Sequence, residues 1–473
     1  MKILLSHGYF LSDDPKEQEI MKPYPPLGIL YISSYLKAHD LPVELMDSTF
    51  MQPGEWKRHL LHSRPQVLAL YVNLMTKIRI LELLCWLRMQ ESLNTTRIVL
   101  GGPDITHNIE DYLNAGADML VIGEGEETML EICTTLRDQG MISTSIAGTA
   151  FRTEQGILVK NPPREKIKDI DSLPFPDRQS IPFHLYLDAW KSKHGLNAVS
   201  VSTQRGCPYT CKWCSTAVYG QSYRRRSPAN VVEELKELTH KYQPDTFWFV
   251  DDVFTVSHRW LNDFLAALKK EELKIRFECI TRADRLNEEV ILTLKEAGCF
   301  RIWIGAESGS QEIINAMDRR VDVMHVREMI RTASRHGIQS GTFIMLGYPG
   351  EKRKHIQETI VHLKEALPDI FTITVAYPIK GTRLFTEVEN MQKGIFDWNS
   401  QTDRQRDFRR ELPRRYYELA VRRVVNEVEF TRLLVQGKRW SNAGMKRLLR
   451  CKLADALMYL IEWFSVPYSL LSR

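Results

Sequence analysis

The chain has 473 residues, 43% hydrophobic and 26% charged, with a formal net charge of +5. That length implies two or three domains with an ordinary globular balance. It carries no uninterrupted apolar run of the roughly 18 residues that a membrane-spanning helix needs. The amino terminus, Met1-Lys2-Ile3-Leu4-Leu5-Ser6-His7, reads as a short strand rather than a signal peptide.

Residues 1–140 alternate strand and helix patterns. Strands are predicted at 2–6, 43–46, 67–72, 97–100 and 118–122, with helices at 27–38, 78–89 and 128–136. This order implies an α/β domain with a doubly wound parallel sheet, whose ligand site lies at the carboxyl ends of its strands. Glycines gather there, in Pro25-Pro26-Leu27-Gly28, Gly101-Gly102-Pro103-Asp104 and Gly123-Glu124-Gly125-Glu126. No G-x-G-x-x-G follows the first strand, so a dinucleotide site is not indicated. Empty structural turns are the alternative reading of the glycines.

Residues 141–190 are rich in proline around Asn161-Pro162-Pro163 and Leu173-Pro174-Phe175-Pro176, and read as an irregular connector. Six further strands are predicted over 191–390, at 198–203, 246–250, 276–280, 301–304, 342–346 and 372–376, with helices such as 229–240 and 287–296 between them. Chemistry-bearing groups follow several of these strands, as in parallel barrels. They are Asp251-Asp252, Arg282, Glu307-Ser308-Gly309 and Gly347-Tyr348-Pro349-Gly350. The acids can equally cap helices, and Arg282 and Glu307 can equally pair with one another.

The stretch Cys207-Pro208-Tyr209-Thr210-Cys211-Lys212-Trp213-Cys214 follows the first of these six strands and sets three cysteines at C-x3-C-x2-C. Soft sulfur donors select iron–sulfur clusters or zinc, and structural zinc takes a fourth Cys or His that this loop lacks. The five remaining cysteines, Cys85, Cys133, Cys279, Cys299 and Cys451, read as small buried hydrophobes. No disulfide framework is indicated, which suits a reducing cytoplasm. Residues 391–473 are helical in pattern and basic, with 17 Lys and Arg against 9 Asp and Glu. This tail reads as a helical cap over the barrel mouth with a solvated basic face. Alternatively it is an interfacial segment that makes peripheral membrane contact, with residues 457–471 mostly apolar. No nucleic-acid recognition motif is present, and no such partner is expected.

The cysteine spacing, with Trp213 before the last cysteine, resembles the radical S-adenosylmethionine (SAM) superfamily, and the likeness spans residues 1–390. It implies an open (β/α)6 partial barrel over 191–390. Cys207, Cys211 and Cys214 would hold a 4Fe-4S cluster whose open iron binds SAM, and reductive cleavage of SAM would yield a 5′-deoxyadenosyl radical. Asp252, Arg282, Glu307, Ser308 and Gly347, with Trp213, would contact SAM. The glycine-rich strand ends resemble the cobalamin-binding domain fused to many of these enzymes, with Gly101, Gly102, Gly123 and Gly125 close to cobalamin. His7 departs from the D-x-H-x-x-G pattern that supplies a cobalt ligand in some relatives, so a lower cobalt face without histidine is expected. The resemblance implies methylation of an unactivated carbon in a small or lipophilic substrate, with a flavodoxin or ferredoxin as electron donor. The alternatives are a cyclase or rearrangement enzyme using the same cofactors, and a non-enzymatic cobalamin or redox sensor.

Overall fold

The computed structural model describes residues 1–215, 218–439 and 441–465. They form two compact units. The first comprises Met1–Pro208, Ser215–Trp248 and Phe396–Asp403; the second comprises Tyr209–Cys214, Phe249–Ile395 and the chain from Arg404 onward.

In the first unit β1 (Ile3–His7) is buried at every residue and pairs in parallel with both β2 (Val43–Met46) and β3 (Val67–Tyr71). β4 (Arg97–Gly101) and β5 (Met119–Val121) extend the parallel sheet beyond β3. The intervening helices are α1 (Leu27–Ala38), α2 (Pro53–Ser63), α3 (Lys77–Arg88) and, after β5, α4 (Glu126–Gln139). Sheet faces covered by helices require strands apolar on both sides, which is why these strands read as short continuous apolar runs. Trp56, Ile80, Leu84 and Tyr112 are fully buried in the core beside them. The order β2-β1-β3-β4-β5 reverses its direction of growth between β1 and β3, and the loops leaving those strands diverge there.

Two local expectations need correction. The stretch read as an irregular connector contains β6 (Thr149–Arg152) and β7 (Leu158–Lys160), which add antiparallel to β5 and complete a seven-stranded sheet. Strands of four and three residues are too short to show an alternation. The connector also holds α5 (Phe183–His194), ahead of β8 (Ala198–Val201), α6 (Pro228–Tyr242) and β9 (Thr246–Phe249). Cys85 is exposed rather than buried. The inward face of α3 is set by Ile80, Leu83, Leu84 and Leu87, and Cys85 points off it.

The second unit continues the strand–helix rhythm through α7 (His258–Lys270), β10 (Phe277–Thr281), α8 (Glu288–Glu296), β11 (Cys299–Glu307), α9 (Val323–Arg335), β12 (Gln339–Leu346), α10 (Arg353–Ala366) and β13 (Ile370–Val375). Ser257, Asn287 and Asp322 cap α7, α8 and α9 by accepting a backbone N–H three residues on, satisfying donors that a helix start leaves open. β10 to β13 pair in parallel, each with its sequence neighbour. The sheet order is β13-β12-β11-β10-β9-β8, the open (β/α)6 topology.

After α11 (Arg383–Val388) the chain is largely irregular until α12 (Arg414–Val435) and α13 (Asn442–Ser465), which pack on each other. α12 also packs on α10 and β13, burying Tyr416, Tyr417, Ala420 and Val424. Part of the tail's basic charge is therefore not solvated. Arg410 and Arg423 are buried, and Arg410 donates to the carbonyls of Gly347 (2.9 Å) and Ala376 (2.5 Å). The end of the apolar stretch read at 457–471 lies outside the described residues from 466 on. Among the described residues no helix is long and apolar enough to cross a membrane.

Candidate functional site

In the first unit a cavity of about 200 Å³ opens at the carboxyl edge of the sheet. Leu5, Leu70, Val99 and Val121 give it an apolar floor, and Gly28, Gly101, Gly102, Gly123 and Gly125 all line it. The glycines serve two purposes. A Cβ on Gly102, whose φ is +115°, would lie 2.2 Å from the Val72 carbonyl, and one on Gly125 would lie 2.8 Å from Ile32 Cδ1. These two positions are glycine because backbone and side chains pack against them. At Gly28, Gly101 and Gly123 a Cβ would meet nothing closer than 3.8–4.0 Å, so the space those side chains would take belongs to the cavity. The result is a bare-backbone cradle with room for a heterocycle and its sugar.

One wall of this cradle is a buried ion network. Arg205 reaches Glu124 at 3.0 Å and Glu126 at 2.5 Å, and Arg224 reaches Glu124 at 2.7 Å. The Ile167 N–H also donates to Glu124 (2.9 Å). Burial raises the Glu124 carboxyl, but Arg224 and Arg205 outweigh it and hold the group below its ordinary value. The Arg205 guanidinium lies over the rings of Tyr31 (5.2 Å) and Tyr219 (5.5 Å), and Tyr219 lines the cavity. Cys207, two residues on, is buried. Sequence reading picked the glycines of Gly123-Glu124-Gly125-Glu126 but not its acids or Arg205. The available signal was an arginine beside the cysteine loop with two acids of matching charge.

His7 is buried, with both ring nitrogens engaged. Nε2 lies 2.9 Å from Asp47 Oδ1, and the Tyr9 N–H points to Nδ1 at 3.2 Å. Tyr186 donates to the other Asp47 oxygen at 2.7 Å. Both ring nitrogens of His7 thus have hydrogen-bond partners within the first unit.

In the second unit positive charge is focused on Cys211. Its sulfur lies 3.5 Å from Arg282 Nη1 and 3.7 Å from Arg319 Nη1. Both guanidinium groups turn N–H donors toward this sulfur. Arg282 is held by Asp284 (2.8 Å) and the Arg319 carbonyl (2.6 Å), and stacks 3.9 Å from the centre of the Tyr209 ring. Glu307 pairs with Arg319 at 3.5 Å. The direct Arg282–Glu307 pair entertained from the sequence does not appear among the described residues. Burial raises the Glu307 carboxyl, while Arg319 and then Arg282 oppose the rise. Arg319 was missed by sequence reading because it sits in an Asp318-Arg319-Arg320 turn that resembles any solvated charge run. The indole Nε1 of Trp213 is buried and has no hydrogen-bond partner among the described residues.

The other expected contacts differ in availability. Asp252 is exposed after β9, and the surrounding protein and then Asp251 raise its carboxyl. Ser308 is buried and accepts the Ser310 N–H at 3.1 Å, so it shapes the turn after β11. Gly347 has both peptide groups in use. Its N–H donates to Glu351 and its carbonyl accepts from Arg410, while Tyr417 stands where a Cβ would point.

The radical SAM superfamily profile matches residues 201–363, and the B12 binding domain profile matches residues 19–133. The chain is a radical SAM enzyme with a B12-binding domain. This radical SAM enzyme is 29% identical over 370 residues to an uncharacterized methyltransferase of Pyrococcus horikoshii, covering 76% of this chain and 78% of that one. It is 24% identical over 417 residues to the anaerobic magnesium-protoporphyrin IX monomethyl ester cyclase of Rubrivivax gelatinosus, covering 84% and 72%. It is 26% identical over 369 residues to the hopanoid C-3 methylase of Methylococcus capsulatus, covering 76% and 67%. Among solved structures, the cobalamin-dependent SAM radical enzyme OxsB with aqua-cobalamin superposes with a TM-score of 0.74 at 18% identity, covering 97% of this chain and 73% of that one.

The enzyme's cofactors are SAM, a 4Fe-4S cluster and cobalamin. The bare-backbone cradle fits a cobalamin tail, and the guanidinium pair at Cys211 fits a thiolate donor. Among the described residues no three His, Cys, Asp or Glu side chains converge closely enough to hold one ion. The cysteines of a cluster each bind a separate iron, so they need no such convergence.

Proposed function

We propose that this enzyme methylates an unactivated carbon of a small, lipid-like substrate, with cobalamin as the methyl carrier. The observation that carries the reading is the glycine cradle at the β1/β3 switch point, in a chain whose second unit sets two arginines on Cys211. When bound, the cofactors supply SAM cleavage and methyl transfer. The residues of the chain bind and orient them. Cys207, Cys211 and Cys214 hold the cluster, and Arg282 and Arg319 offset its negative charge. Glu307 and Asp252 accept hydrogen bonds from the SAM hydroxyls or ammonium, and Gly28, Gly101 and Gly123 admit the cobalamin tail. A flavodoxin- or ferredoxin-type carrier supplies the electron. The likeness to the hopanoid methylase supports a lipophilic substrate.

The test is anaerobic. The protein is reconstituted with iron, sulfide and hydroxocobalamin, freed of unbound cofactor, and given dithionite, methyl-labelled SAM and a lipid extract. Labelled lipid together with 5′-deoxyadenosine is the expected result. The likeness to the cyclase favours ring formation as the second reading, and unlabelled product with deoxyadenosine would establish that instead. Deoxyadenosine without retained corrin absorbance would overturn the cobalamin mechanism.

A further inference from the structure

Several large apolar side chains of α13 are exposed. Its inward face is Gly444, Cys451, Ala454 and Met458, turned to the bundle it forms with α12. On the opposite face lie Leu449 (71% exposed), Leu453 (59%), Leu460 (49%), Trp463 (59%) and Phe464 (75%). At about 100° per residue they share a stripe roughly 100° wide. Lys452 borders one side of the stripe, and Lys446 and Arg450 border the other; all three are exposed.

The two acids of α13 do not share that surface. Asp455 is engaged by Arg353 and by Arg423 (3.2 Å), and Glu462 by Arg353 (3.2 Å) and Tyr416. Every charge left facing outward along the stripe is therefore positive. We propose that α13 docks this face on an anionic lipid bilayer, lying in the interface with its leucines and aromatics among the acyl chains and its cations among the headgroups. Charge selects this occupant over a second copy of the chain, since a self-complementary pairing of the stripe would set Lys446, Arg450 and Lys452 against their own equivalents. No described helix is apolar enough to span, so the contact lies on the surface of the bilayer. This inference does not depend on the identity of the substrate.

The experiment is vesicle co-sedimentation of the full-length, cofactor-loaded protein, using phosphatidylcholine vesicles with and without phosphatidylglycerol. Binding should require phosphatidylglycerol and fall as salt rises. Leu449→Glu with Leu453→Glu should lower binding by about tenfold or more, and Lys446→Glu with Arg450→Glu should abolish the preference for phosphatidylglycerol. Both double variants alter exposed side chains, so circular dichroism and SAM cleavage should stay at wild-type levels. Vesicle binding by the leucine variant equal to wild type would overturn the proposal, as would wild-type binding indifferent to phosphatidylglycerol. Absence of vesicle binding, with a dimer in sedimentation velocity that the leucine variant dissolves, would assign the face to a second copy instead.

Discussion

Glu351 offers a quantitative test of the second unit's carboxyl edge. It is fully buried after the turn that follows β12. One carboxyl oxygen accepts the Gly347 N–H, the other has no partner, and the Glu351 backbone carbonyl accepts from Tyr417 at 2.8 Å. Burial pushes the carboxyl from its ordinary 4.5 up to about 8, against the opposing Gly347 N–H and Arg410. The folded protein thus holds a proton that the unfolded chain releases near pH 4.5. The stability tied to that proton is complete below pH 4.5 and is lost as pH rises toward 8, at about 1.4 kcal/mol per pH unit. Between pH 5 and pH 8 the loss is about 4 kcal/mol. Glu351→Gln keeps the shape and the acceptor for Gly347 but cannot ionise; its unpaired amide adds a cost of about 1–3 kcal/mol that does not vary with pH. The variant's unfolding free energy relative to wild type should therefore climb by about 4 kcal/mol from pH 5 to pH 8. Urea unfolding of the cofactor-free proteins at several pH values measures it, and hydrogen exchange of α10 reports locally if the two units melt separately. Parallel pH curves for the two proteins would refute the buried neutral acid.

Cys211→Ala should reduce bound iron and abolish 5′-deoxyadenosine formation, measured by iron assay and chromatography, while the far-ultraviolet circular dichroism is unchanged. Gly101→Val places two methyl groups in the cavity on a strand end of ordinary φ; retained cobalamin should fall at least about tenfold while iron content stays at wild type. Arg205→Met leaves Glu126 without its buried partner and weakens Glu124, for a loss of about 3–5 kcal/mol in unfolding free energy. Adding Glu126→Gln to Arg205→Met should recover part of that loss, and a double variant no more stable than the single would argue against the pairing.

The sheets were legible because burial on both faces makes their strands short apolar runs, and the runs at 43–46, 67–72 and 342–346 need no partner to be recognised. β6 and β7 were not legible, since four and three residues carry no period and their identity comes from pairing with β5. The cysteines and glycines could be found because their chemistry is local and their spacing is contiguous. Arg319, Arg205 and the two acids around Gly125 were invisible for the opposite reason. Each looks like a surface charge until the fold buries it against a partner many residues away. The tail shows the same limit, because nothing in Arg409-Arg410 tells which guanidinium sinks beneath α12 to hold the Gly347 carbonyl.

The Arg205 network also bears on how such a protein could have been assembled from parts. A cut near residue 190 would look natural, since a connector ends there and a barrel strand begins. Yet β8, Arg205 and α6 belong to the same compact unit as the sheet that bears Glu124 and Glu126. A gene fragment starting at residue 191 would encode a guanidinium whose two counter-charges had been left behind, immediately ahead of the first cysteine. The lineage could therefore shed or exchange its amino-terminal half only by rewriting the approach to the cysteine loop at the same time. Loss of the corrinoid half is expected to be accompanied by replacement of Arg205.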